Sequence, residues 1–188
     1  MSELGRRAVH ASGAVVPLAY VADVATWGEV RLVATAGLAL ALLLEALRLL
    51  AGFDHALYDR LTREYEQENL AGYALYALSG TAVLWLTEPA VGVPAVLMLA
   101  LGDPVSGLLS SGELRAVKPP RVLVGMFVVC TALALPFVPP VAAVAGALGA
   151  TVADGVKPQP FGYVIDDNLT ISPLAAGAML AALALLGA

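Results

Sequence analysis

The chain has 188 residues, 60% of them hydrophobic and 13% charged, with a mean hydropathy of +0.84 and a formal net charge of −5. A soluble domain of this length would carry roughly 47 charged residues and would need a polar exterior that these side chains cannot supply. The apolar excess excludes disorder, the acidic balance argues for no nucleic acid partner, and the lone Cys130 excludes a disulfide frame or thiolate cluster. The remaining class is an all-α, polytopic membrane helix bundle, read as a single membrane-embedded domain over residues 1–188.

In chain order, Arg6-Arg7 precedes a short apolar stretch from Ala8 to Ala22. A cleaved signal peptide is the competing reading there, but His10 and Pro17 interrupt the stretch and the rest of the chain is itself membrane-like. Arg31 to Leu50 is a second span and contains Glu45 and Arg48, neighbours at i and i+3 on one helix face. They form either a neutralised intramembrane pair or part of a site or scaffold. The charge run Arg60, Arg63, Glu64, Glu66 and Glu68 reads as a solvated connection. Asn69 to Thr87 is uncharged, and Pro89 to Ser111 carries one acid, Asp103, at its inner end. Val122 to Ala153 is cut by Pro136, Pro139 and Pro140 into a hairpin of two short helices. Asn168 to Ala188 closes the chain with an uncharged span. The sum is about seven transmembrane helices, of which three are short enough for an interfacial or re-entrant role.

The basic residues give the orientation. Arg6, Arg7, Arg48, Arg60, Arg63, Arg115, Lys118, Arg121 and Lys157 fall on one side, and Arg31 alone falls on the other. That bias predicts a cell-membrane, multi-pass protein with a cytoplasmic N-terminus. The same layout gathers most acids, amides and bases on the cytoplasmic face, as suits a site that takes a water-soluble reactant from the cytosol and a lipid from the bilayer. Channels and carriers more often place polar groups at mid-depth.

Two acidic elements stand out. Gly102-Asp103-Pro104-Val105-Ser106-Gly107 puts a carboxylate beside glycines, so that a phosphate could approach the backbone while the acid holds a divalent cation. A helix-end acid among packing glycines is the plainer reading. Asp166-Asp167-Asn168 precedes the last span. One such residue makes an N-cap; three in a row favour hard oxygen ligands for Mg2+. There is no Walker-type glycine loop, Ser-His-Asp pattern or HExxH.

The order of these elements resembles the integral-membrane CTP-dependent lipid-alcohol kinases, comprising dolichol kinase, phytol kinase and the CTP-dependent diacylglycerol kinase. The resemblance runs through Arg6-Arg7-x-x-His10, Glu45-x-x-Arg48, Gly102-Asp103-Pro104-Val105-Ser106, Arg121-x-x-x-Gly125, Asp154 and Asp167-Asn168-Leu169-Thr170-Ile171. Two elements depart from the family pattern. Arg121 to Gly125 lacks the hydroxyl and acid usual there, with Lys118 as a shifted source of positive charge, and Asp154 stands where Glu is usual.

The resemblance implies transfer of a phosphoryl group from CTP to a polyprenol-type (dolichol- or phytol-like) alcohol in the membrane. Asp103, Asp166 and Asp167 would hold magnesium, with Asn168 completing or orienting the shell. Arg7, Lys118 and Arg121 would clamp phosphates beside Gly102 and Gly125, and His10 or a carboxylate would accept the alcohol proton. A membrane cytidylyltransferase acting on CTP and a lipid phosphate is the alternative enzyme, and a non-enzymatic carrier or assembly subunit the alternative to catalysis. Asp103 and Asp167 end and begin helices at the same membrane depth, which predicts carboxyl groups within about 8 Å of each other if one ion is shared.

Overall fold

The computed structural model describes residues 3–50, 69–110, 117–156 and 165–187. The charge run from Arg60 to Glu68, Ser111, Gly112, Arg115, Lys157 and Ala188 lie outside the described residues. The regular elements among the described residues are helices: α1 (Glu3–Ser12), α2 (Val15–Val21), α3 (Trp27–Leu49), α4 (Gly72–Leu86), α5 (Pro89–Leu109), α6 (Pro120–Ala134), α7 (Pro140–Gly155) and α8 (Asp167–Leu186). Three of these, α3, α5 and α8, are long and apolar enough to cross a membrane. The 15 residues of α4 and of α6 and the 16 of α7 are apolar but shorter. At about 1.5 Å per residue they rise less than the ~30 Å of a hydrocarbon core. The first apolar stretch is two helices broken at Gly13–Ala14, not one.

The distribution of side chains is that of a membrane bundle. Small residues fill the inside, with Ala142, Ala143, Ala147, Ala150, Ala175 and Ala176 all buried, while Leu32, Val33, Leu40 and Leu43 of α3 are more than half exposed. In water that arrangement would forfeit the hydrophobic term; in lipid the large aliphatic groups face a matching solvent, and small residues let backbones approach. The closest approach joins α7 to α8. A Cβ on Gly149 would stand 2.6 Å from the Leu174 carbonyl oxygen, and one on Gly146 would stand 2.5 Å from Met179 Cγ. These glycines bring the C-terminal end of α7 beside the N-terminal end of α8.

Local sequence sets the helix ends. Thr26 caps α3 in a capping box: its Oγ1 accepts from Glu29 N–H, and its own N–H donates to Glu29 Oε2 at 2.7 Å. Pro120 and Pro140 start α6 and α7, where the missing N–H costs nothing. At the other end of α4, Arg31 donates from Nε to Leu84 O at 2.8 Å and from Nη2 to Thr87 O at 3.0 Å, satisfying carbonyls the helix leaves open. Its guanidinium lies 5.6 Å from the Trp27 ring centre and 5.4 Å from that of Trp85. Both tryptophans of the chain therefore share the end where Arg31 sits, as in the aromatic belt of a membrane–water boundary.

The helix α5 does not end at Asp103. It continues to Leu109 through a π-helical turn over Met98–Gly102. Pro104 explains the turn. It lacks an N–H and its ring crowds the preceding turn, so the helix widens just before it. In the π register, Leu99 O would look to the amide of residue 104, which has no hydrogen to give. His10 Nε2 from α1 makes that bond instead, at 3.0 Å.

The pair Glu45–Arg48 is a clamp between α3 and α4. Glu45 is 2% exposed. Arg48 reaches its carboxylate at 2.6 and 3.1 Å and also donates to Asn69 O at 2.6 Å. Glu45 further accepts from Ala71 N at 3.1 Å and from the Tyr73 hydroxyl. Of the two roles open from sequence, site or scaffold, these contacts are those of a scaffold.

Candidate metal centre

Three helices bring one carboxylate each to a common point. Asp103 on α5, Asp154 near the end of α7 and Asp167 at the start of α8 offer oxygens that all lie within 4.8 Å of one another. The convergence of Asp103 and Asp167 anticipated from their equal depth is present. Asp154 and Asp167 are 0% and 4% exposed, and the Asp103 side chain is 23% exposed, so the cluster opens past Asp103.

Asp154 is held by two side chains from outside its own helix. Ser106 Oγ, one turn after Asp103, donates to Asp154 Oδ2 at 2.6 Å. Lys118 Nζ donates to Asp154 Oδ1 at 2.6 Å and to Ser106 Oγ at 3.1 Å. The segment before α6 is pinned to the end of α7 by Lys118 N–H to Gly155 O at 3.0 Å and by the pairing of Val117 with Val156. That short antiparallel contact places the ammonium.

Asp166 does not join the cluster. It is the N-cap of α8: Oδ1 accepts from Asn168 N–H at 2.9 Å and from Asn168 Nδ2 at 2.7 Å. Adjacent residues at a helix start point about 100° apart, so only Asp167 faces Asp103 and the third place falls to Asp154. The carboxylate also settles the Asn168 amide orientation, because it can only accept from the NH2 group. Asn168 Oδ1 is buried with no hydrogen-bond partner among the described residues, and its backbone O accepts from Ser79 Oγ at 2.6 Å.

The glycines and outer cations divide differently from the expectation. Gly102 and Gly125 are close-packed positions within helices, where neighbouring side chains fill the space of a Cβ. A Cβ on Gly102 would stand 3.0 Å from Cys130 Sγ, and the place of a Cβ on Gly125 is taken by Leu109. Gly107 instead makes room for Arg7, whose guanidinium carbon, Nε and Nη2 would each lie 3.1 Å from a Cβ there. Arg7 thus lies on α5 one turn beyond Asp103. Of the two expected clamps on this segment, Lys118 reaches the cluster, whereas Arg121 is exposed and makes none of the cluster's hydrogen bonds described above.

His10 Nε2 stands 3.7 Å from Asp103 Oδ2 and donates to Leu99 O. That nitrogen carries its proton toward a carbonyl and cannot accept one from an alcohol. A base role for His10 would have to use Nδ1, and a carboxylate is the other acceptor.

The donor set fits a hard divalent cation. Carboxylate oxygens are the ligands magnesium takes, three of them lie within 4.8 Å of one another, and a divalent cation there would offset their mutual repulsion. Comparison with protein-family models, curated proteins and solved structures gives no match for this chain.

Proposed function

We propose that the protein is a magnesium- and CTP-dependent kinase that phosphorylates a polyprenol-type alcohol of the membrane at its cytoplasmic face. The observation that carries this reading is the meeting of Asp103, Asp154 and Asp167 beside Lys118 and Ser106 at one end of an apolar bundle. A lipid hydroxyl and a nucleotide phosphate can meet at such a place.

Each residue has a task that its position suits. The three aspartates would hold magnesium, which neutralises phosphate charge and orients the transferring group. Lys118 counters charge on the nucleotide phosphates while its hydrogen bond holds Asp154 in place. Arg7 packs against Gly107, one turn along α5 from Asp103, and its planar guanidinium is the forked donor geometry that suits a phosphate. Ser106, fully buried, fixes Asp154 Oδ2 by donating to it. The burial of Asp154 and Asp167 keeps water from competing for the phosphoryl group.

The test uses CTP carrying label either on the γ-phosphate or on cytosine, with purified protein and phytol or dolichol in lipid vesicles. The kinase reading expects γ label in the lipid fraction and none from cytosine. Cytosine label in lipid without γ label would make the protein a cytidylyltransferase, and no transfer from either would favour a carrier or assembly subunit.

Orientation is checked separately. Cys130, the lone native cysteine, is buried, so single cysteines introduced at Ser110 and Glu88 report cleanly. In intact cells an impermeant maleimide should reach position 88 and leave position 110 unlabelled until the membrane is opened. The reverse pattern would put the carboxylates on the wrong face for cytosolic CTP.

A further inference from the structure

The phenol of Tyr76 is a buried polar group that none of the tasks above employs. Its Oη is shut off from solvent and has no hydrogen-bond partner among the described residues. Leaving a hydroxyl unmatched in an apolar setting is unfavourable, and a phenylalanine would fill the same space without that cost. The hydroxyl therefore calls for a ligand.

Its surroundings narrow the ligand's chemistry. On one side the Tyr76 ring meets the His10 imidazole edge-on, with ring centres 4.6 Å apart and planes at 77°. His10 in turn stands 3.7 Å from Asp103, the most exposed acid of the cluster. On the other side the ring packs on an apolar group that includes Ala14, Val93, Leu97 and Ala100. Gly13, at the break between α1 and α2, approaches the Tyr76 hydroxyl so closely that any Cβ there would overlap it. Tight turns replace the helical ladder at that break: Gly13 N–H bonds His10 O at 3.2 Å, and Ala14 N–H bonds Ala11 O at 3.1 Å. The hydroxyl thus lies on the seam between the charged cluster and an aliphatic interior, beneath a joint in the chain.

A molecule with one hydroxyl on a long hydrocarbon chain matches that seam. We propose that Tyr76 Oη binds the hydroxyl of the acceptor lipid alcohol and holds it beside Asp103, with α1 turning about Gly13 to admit it. A phenol suits this task because its oxygen can accept a hydrogen bond from the alcohol O–H while its ring stays in the apolar interior. The assignment rests on the lipid-alcohol half of the proposed function and not on the nucleotide.

The test measures binding without nucleotide. Wild-type protein and Tyr76→Phe, reconstituted in nanodiscs, are loaded with tritiated phytol and competed with phytol or with phytyl methyl ether, which lacks the donor hydrogen. Wild type should prefer the alcohol about tenfold, the worth of one good hydrogen bond, and Tyr76→Phe should bind both alike. The variant should also be as heat-stable as wild type or more so, because it removes an unmatched hydroxyl; a purely structural hydroxyl would give a loss. A preference for the alcohol that survives Tyr76→Phe overturns the assignment, as does a wild type that binds ether and alcohol equally. A wild type that shows the preference, loses it in Tyr76→Phe and yet transfers no γ-phosphate would support the assignment and overturn the kinase reading instead.

Discussion

Asp154→Asn is expected to lower phosphoryl transfer by about 10³-fold while the protein still inserts and purifies as a single species, and Asp103→Asn and Asp167→Asn should do the same. The size follows from removing one charged group aimed at a transition state in a water-poor site, for which losses of about 10²–10³ are usual. Asp154 is the sharpest of the three. Asn keeps its shape: its one oxygen can still accept from Lys118 while its NH2 donates to the Ser106 hydroxyl oxygen, so the fold has little reason to change, but the site loses one of the three carboxylates that meet within 4.8 Å. Initial rates at saturating CTP, normalised to purified protein, give the measurement, with magnesium titrated in parallel. The half-saturating magnesium concentration should rise in each variant. If Asp154→Asn retained wild-type turnover and magnesium dependence, the cluster would be an electrostatic brace between α5, α7 and α8 and the catalytic reading would fall.

Glu45→Ala should produce the largest loss of stability, about 3–5 kcal/mol, as is usual when one partner of a buried ion pair is removed. The substitution strips Arg48, the Ala71 amide and the Tyr73 hydroxyl of a shared acceptor that is 2% exposed. All three donors sit where α3 hands over to α4, so the damage falls on that joint. Thermal unfolding followed in detergent should show a drop in Tm, whereas turnover per folded molecule at low temperature should stay within a few-fold of wild type. Unchanged Tm together with lost turnover would mean that Glu45 and Arg48 belong to the chemistry and not to the scaffold.

Much of the architecture was legible in the sequence because membrane segments announce themselves by composition. The aliphatic runs from Asn69, Pro89 and Asn168, and the prolines that split Val122 to Ala153, correspond to α4, α5, α8 and the pair α6–α7. The break at Gly13 was not legible, since nothing in a short apolar stretch distinguishes a bent helix from a straight one. Asp103 and Asp167 could be matched because alternating spans fix their depth. Asp154 could have been matched by the same argument, as an acid at the inner end of an Ala-rich helix, but the run Asp166-Asp167-Asn168 reads as a ligand set on its own and put Asp166 in the place that Asp154 holds in the cluster. Successive residues of a helix face different ways, which sequence adjacency hides. The glycines were harder. Gly102, Gly125 and Gly107 look alike on paper, and only the neighbour across the interface tells that the first two admit side chains of Cys130 and Leu109 while the third admits Arg7.

The hydrogen bond from His10 to Leu99 spans 89 positions of the chain. As the polypeptide leaves the ribosome, α1 emerges first, yet the carbonyl it must meet is made only after α2, α3 and α4 have entered the bilayer. Until then His10 has no acceptor from α5, and when α5 arrives its widened turn carries an unmatched carbonyl into lipid unless α1 is waiting beside it. Docking of the N-terminal helix is therefore a late event in biogenesis, and so is the meeting of the aspartates, since Lys118, Asp154 and Asp167 follow later still. A chain truncated before α8 would hold Asp103 without Asp167, the carboxylate that only the last helix brings to the cluster.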